Sequence, residues 1–216
     1  MDNSQRCFEL LQSGDEAGIR RILEEDPSSA DARDGGGVSL LMQALYRGRR
    51  ELATAIAAKK PDLDIFEAAA LGSLDRLATL AGDPRPVASF SSDGFTALHF
   101  AAYFGQPEAA RILLDRGARA DAVARNPMQV MPLHSAASAR NLEGARLLLK
   151  HGAAVNARQQ GGWTPIHAAA QNGDRAMVNL LLEQGADSKA ANDLGQTPAA
   201  VAREKGHGEI AKLLEK

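Results

Sequence analysis

The sequence predicts an all-α solenoid of about seven stacked helix pairs with short hairpin turns. Three observations predict it: a motif recurring at a period near 33 residues, an apolar content rich in Ala and Leu, and a turn residue at a fixed place in every unit. Hydrophobic residues make up 44% of the 216 but aromatic ones only 4%. Small side chains suit helices that approach closely. A sandwich or barrel would draw on more Val, Thr, Tyr and Phe.

The units can be taken in chain order. Phe8, Met42, Phe66, His99, His134, His167 and Ala200 occupy one slot, at steps of 34, 24, 33, 35, 33 and 33 residues. Six residues after each stands the expected turn: Gly14, Gly48, Gly72, Gly105, Arg140, Gly173 and Gly206. Thr before Pro, as at Thr164-Pro165 and Thr197-Pro198, starts the first helix: the hydroxyl caps a free N–H and Pro fits the first position. An Ala pair after the slot lets that helix lie tight against its neighbours. Gly at the turn permits a left-handed residue between antiparallel helices. Where Arg140-Asn141 replaces it, Asn141 is the residue expected to tolerate that conformation. Leucine-rich runs such as Leu147-Leu148-Leu149 and Leu180-Leu181-Leu182 give the second helix its buried face. Gly117, Gly152 and Gly185 then end it.

The stretch from Gly162-Trp163-Thr164-Pro165-Ile166-His167 through Gly173 to Gly185-Ala186-Asp187 closely resembles the ankyrin repeat. The resemblance is strong from about Ser92 to Lys216 and weaker, but in phase, from Cys7 to Pro84. It implies one domain over residues 1–216, with an N-terminal cap at about 3–33, degenerate repeats over 34–84, well-formed repeats over 91–190 and a C-terminal cap over 191–216. Two departures stand out. The third unit enters Leu63-Asp64-Ile65 directly from Lys60-Pro61, without room for a hairpin turn, and two extra residues fall within Ala122–Asn126. One continuous stack is expected all the same.

Candidate chemistry is sparse. Three histidines at a regular period suggest a metal, but equivalent positions on stacked helices lie about 8–10 Å apart. Two nitrogens on one zinc come within roughly 4 Å. His99, His134 and His167 are therefore read as buried and hydrogen-bonded to their turns, with no metal and no cofactor. The sequence has no Gly-x-Ser-x-Gly, phosphate loop or His-Glu-x-x-His. Ser135 beside His134 is no dyad, since adjacent helical residues point about 100° apart. No catalytic residue is assigned, and an enzyme is the weakest alternative. Arg47, Arg49, Arg50, Lys59 and Lys60 form the most basic stretch, which makes a nucleic-acid binder the other alternative. Against it stand a net charge of −2 and no interleaved aromatics.

The expected function is recognition of an unidentified protein partner, with no small-molecule substrate and no membrane. The resemblance implies a concave face built from the turn tips and the exposed side of each first helix. The only Trp and both Tyr of the chain fall on those slots. Aromatic anchors are typical of interfaces. Phe95, Tyr103, Phe104, Met128, Val130 and Trp163 are the expected anchors, with Gln171 and Asn172 on the rim. Phe100 is expected in the core. With Cys7 alone and a polar start at Met1-Asp2-Asn3-Ser4, the expected compartment is the cytoplasm.

Overall fold

A computed structural model describes residues 2–215. Seven antiparallel helix pairs follow one another: α1 (Asn3–Ser13) with α2 (Glu16–Glu25), α3 (Leu40–Tyr46) with α4 (Arg50–Ala57), and α5 (Ile65–Leu71) with α6 (Leu74–Leu80). A short α7 (Pro84–Val87) intervenes. Then come α8 (Ala97–Tyr103) with α9 (Pro107–Asp115), α10 (Pro132–Ser138) with α11 (Leu142–Lys150), α12 (Pro165–Asn172) with α13 (Arg175–Glu183), and α14 (Pro198–Glu204) with α15 (Gly208–Leu214). Among the described residues there is no strand, only an isolated bridge between Arg33 and Ser39.

All seven expected turn residues take a left-handed φ, from 58° at Arg140 to 82° at Gly14 and Gly206. Register alone decides the fifth. The left-handed residue is Arg140, not Asn141, whose φ of −83° belongs to the cap of α11. The Asn141 side chain is needed there, since its Oδ1 accepts from the Gly144 N–H at 2.9 Å. Arg140 thus takes a conformation that L side chains adopt at a cost.

The Ala pairs do what their size predicts. Ala101 and Ala102, Ala136 and Ala137, and Ala169 and Ala170 are fully buried between inner helices. Leu113, Leu148 and Leu181 are fully buried on the outer ones. The hairpins between units, here called fingers, form a second row. Backbone bonds join neighbouring tips: Arg125 N–H to Gly94 O (2.8 Å), Gln160 N–H to Met128 O (3.1 Å) and Asp193 N–H to Gly161 O (2.9 Å).

The third unit has no finger, and the gap is closed from both sides. A Cβ on Gly37, in the finger of unit two, would stand 3.1 Å from Ser92 Cβ in the finger of unit four. Where the missing turn would run, Lys60 Nζ lies 3.1 Å from Glu67 Oε1 and 2.9 Å from Asp31 Oδ1. The Lys60 and Glu67 side chains are only 3% and 1% exposed. Oε1 has no well-aligned hydrogen bond, so that contact is ionic. The other oxygen, Oε2, accepts from Asp64 N–H at 3.1 Å and completes a capping box on α5.

Breaking a buried ion pair from one side leaves an uncompensated charge, at roughly 3–5 kcal/mol. Lys60→Met is expected to destabilise the protein by about that amount in urea unfolding. Lys60→Met with Glu67→Leu should recover most of the loss. A single-variant loss under about 1 kcal/mol would show that the pair is not what holds this junction.

Candidate binding surface

On the concave side, between the fingers of units four to six and the inner helices of units two, four and five, lies an open cavity of about 350 Å³. Tyr46, Phe95, Phe100, Tyr103, Met128 and Val130 supply its apolar walls. The buried Phe100 is the hub of these rings. Phe66, Phe95, Tyr46 and Phe104 all stand within 5.7–6.4 Å of it, centroid to centroid. Part of this aromatic group has a packing origin, because it fills space left by the finger missing from unit three. Tyr46 even reaches past that unit to donate its hydroxyl to Asp93 Oδ2 in the finger of unit four. Burial and the Asp93 carboxylate both push the Tyr46 hydroxyl pKa upward, so it remains a donor.

The roof is the finger of unit five. The two extra residues, expected within Ala122–Asn126, lengthen the tip itself, which closes from Ala124 to Val130 where its neighbours close over 91–95 and 159–163. Asn126 pins it by donating to Asp93 O (2.9 Å) and accepting from Met128 N–H (3.1 Å). Gln129 takes a left-handed φ of 51°. Strain of this kind clusters at ligand clamps.

The expected anchors separate into two groups. Phe95, Tyr103, Met128 and Val130 surround the cavity, and Tyr103 and Met128 are 49% and 48% exposed. Phe104 is half-buried behind Tyr103, in edge contact at 5.2 Å. Trp163 lies outside the cavity lining, half-buried with its ring 5.4 Å from that of His167. Gln171 is exposed on α12. Asn172 is committed to the framework, donating to Ser138 O (2.9 Å) and Ala137 O (3.2 Å) at the end of α10. Tyr46 and Ser138, which the sequence places on concave-face slots but not among the anchors, also line the cavity, and so do Ser135 and Gln159, which the sequence reading missed. Ser135 had a signal, since it occupies the slot that Phe100 fills one unit earlier.

The three motif histidines are buried, and both nitrogens of each ring are engaged. Nδ1 accepts from the backbone N–H three residues earlier at 3.2 Å: Thr96 for His99, Met131 for His134, Thr164 for His167. Thr96 and Thr164 add a hydroxyl at 2.8 Å, which Met131 cannot. Nε2 then donates across to the next finger: His99 to Val130 O, His134 to Ala157 O and His167 to Gln196 O, each at 3.1 Å. An N–H donor on one side and a carbonyl on the other require the neutral Nε2–H tautomer. These rings are ties between repeats, with no nitrogen left for a metal.

A family model described as ankyrin repeats in three copies matches residues 65–159 and 133–216. The chain belongs to the ankyrin-repeat family. Human neurogenic locus notch homolog protein 4 is 34% identical over 148 residues, 65% of this chain and 6% of that protein. The ankyrin repeat protein FPV014 of fowlpox virus (strain NVSL) is 28% identical over 166 residues, 71% of this chain and 37% of its own length. This chain thus spans a minor part of both relatives. Ankyrin repeats are in general protein–protein interaction modules. The matches of the family model begin at Ile65, the first residue of α5 in the ankyrin unit whose finger is missing.

The basic stretch of this ankyrin chain is dispersed among internal partners. Arg49 pairs with Glu16 (3.3 Å), Lys59 with Glu24 (2.9 Å) and Lys60 with Glu67, while Arg47 donates to Gln43 O (3.2 Å). Among the described residues no helix is long and apolar enough to cross a membrane.

Burial pushes the His99 and His134 pKa values down to about 4 from 6.5, and His167 downward. The unfolded chain therefore takes up protons first as pH falls. The stability these rings contribute is whole above about 6.5 and is lost progressively as pH drops toward 4. For His99 and His134 the loss is on the order of 3 kcal/mol each. ¹⁵N spectra at pH 6 should show both rings neutral with the proton on Nε2. A protonated ring, or a proton on Nδ1, would refute the tie.

Proposed function

We propose that this ankyrin domain, residues 1–216, is a non-enzymatic module whose protein partner seats on the concave face and turn tips of units four to six. Tyr103, Met128, Phe95 and Val130 are the central contacts, with Phe104, Trp163, Gln171 and Asn172 around them. One observation carries the reading: an apolar cavity opens on the concave face between Tyr103 and Met128, two large side chains left about half exposed. Exposed apolar clusters mark interaction sites. Gln159 at the cavity and Gln171 beyond it supply a polar rim of the kind interfaces have. The partner is read as a protein in the cytoplasm, without cofactor, metal or membrane. The nucleic-acid alternative is disfavoured by the internal pairing of the Arg47–Lys60 cations.

The test begins with crosslinking mass spectrometry on partners captured by the intact chain. Affinities of the leading partner are then measured for Tyr103→Ala, Met128→Ala and Trp163→Ala. A hot-spot residue is worth about 2 kcal/mol or more. Tyr103→Ala should therefore weaken binding at least roughly thirtyfold while the thermal midpoint stays nearly constant. Crosslinks confined to the outer helices, with unchanged affinity in all three variants, would defeat the proposal.

A further inference from the structure

The cavity has a chemical character that the binding reading does not use. No Asp, Glu, Lys or Arg lines it. Its two imidazoles, His99 and His134, spend both nitrogens on backbone and Thr partners. Lining residues that are at least nine-tenths buried are His99, Phe100, His134 and Ser135. Of their polar groups only the Ser135 hydroxyl has no hydrogen bond among the described residues. Ser135 is 8% exposed, and that remnant opens into the cavity. The hydroxyl thus keeps access to the cavity, with no partner in the protein competing for it, and is free to bond a group that enters there.

The Ser135 position is the repeat slot that follows the motif histidine. In unit four that slot holds Phe100, which fills the space beneath its own finger and is 3% exposed. In unit five the same slot holds Ser, and the space stays open beneath the lengthened finger. The void therefore has room for an aromatic side chain, with aromatic walls around it and a hydroxyl on its floor. At about 350 Å³ it lies at the lower end of the roughly 300–1,000 Å³ usual for ligand pockets. An ionised group entering it would lose its water and find no counter-charge.

We propose that the cavity receives an uncharged tyrosine side chain of the partner protein, its ring against Tyr46, Phe95 and Tyr103 and its hydroxyl bonded to Ser135 Oγ. This deepens the proposed function and rests on it. Tyr103 and Met128 stand at the mouth, so an anchoring side chain enters from the concave face on which the rest of the partner lies. Tyr is enriched among interface anchors because it brings an apolar body and one polar end. The pair is self-consistent: each hydroxyl can donate or accept, so the bond forms without a charge on either side.

The test does not need the partner. Protein labelled with ¹³C in its methionine methyls is titrated with N-acetyltyrosinamide, N-acetylphenylalaninamide and N-acetylglutamate amide. The expected result is a saturable shift of the Met128 methyl with the tyrosine amide, at least about threefold tighter than the phenylalanine amide, as one hydrogen bond provides, and none with the glutamate amide. Ser135→Ala should erase the tyrosine preference and keep phenylalanine binding. Ser135→Phe, copying the slot as Phe100 fills it, should abolish both, with circular dichroism confirming the fold. No saturable shift, equal binding of the glutamate amide, or a tyrosine preference that survives Ser135→Ala would overturn the inference. With a partner in hand, Ser135→Phe should weaken its binding at least tenfold. Undiminished binding by that variant overturns the tyrosine anchor alone, because the wider reading stands or falls on Tyr103, Met128 and Trp163.

Discussion

Most of the inner helices are seven residues long, and α12 has eight. A helix leaves about four N–H groups and four carbonyls unsatisfied at its ends, so in one this short nearly every backbone group lacks a full set of internal partners. Such a segment is not stable in isolation. Side chains from other units meet the need. The Gln106 amide donates to Ala70 O (3.2 Å), Asn141 to Ala102 O (2.9 Å) and Asn172 to Ser138 O and Ala137 O, each reaching the carbonyl end of the preceding inner helix. At the other end each motif histidine holds its own helix start through Nδ1 and the next finger through Nε2. From unit three to unit seven each unit thus shares hydrogen bonds with a neighbour, which gives that part of the stack its cooperativity in molecular terms.

That dependence explains why losing a finger from unit three is tolerated and what it demands. Without the finger, unit two has no tip to lean on and the start of α5 no turn to tie to. Phe66 stands in place of the tying histidine, and Glu67 takes over the cap through Asp64 while facing Lys60. Tyr46 spans the gap to Asp93. A cluster of rings around Phe100 occupies the volume. Two apolar groups of buried residues result, one from Cys7 to Ile56 with Ala70 and Phe100, the other from Ile65 to Leu214, and Leu63 and Phe66 pack against both.

How much was legible in the sequence follows from the range of each interaction. The seven turns were legible because a left-handed residue between helices needs Gly, and where Gly is lacking the period still fixes the place, as at Arg140. The structural histidines were legible because their partners lie three residues away or one period on. The family was legible for the same reason, in letters such as Thr164-Pro165-Ile166-His167. Trp163 and Asn172 show the limit. On the sequence both sit at slots facing solvent, yet Trp163 leans toward the His167 ring and the Asn172 amide bonds to the end of α10. Tyr46 at the cavity wall depends on a deletion bringing together residues 47 apart in sequence, and no local pattern encodes that contact. Ser135 is quieter still: a small residue in a helix reads as packing until the fold shows its remaining exposure facing an open cavity.

The cavity and the aromatic cluster are then two outcomes at one repeat position. At unit four a large side chain in the slot after the histidine turns a missing finger into a filled core, and burying a ring of that size stabilises by roughly 1.5–3 kcal/mol. At unit five a small side chain in the same slot, under a finger two residues longer than its neighbours, forgoes that burial. The forgone energy remains available to whatever enters. The left-handed Gln129 and the Asn126 bonds hold the roof up before anything arrives, so the opening does not have to be made at the moment of binding. Preorganisation of this kind lowers the entropic cost of association, and it is possible here because the surrounding stack, tied at both ends of each short helix, cannot collapse into the space.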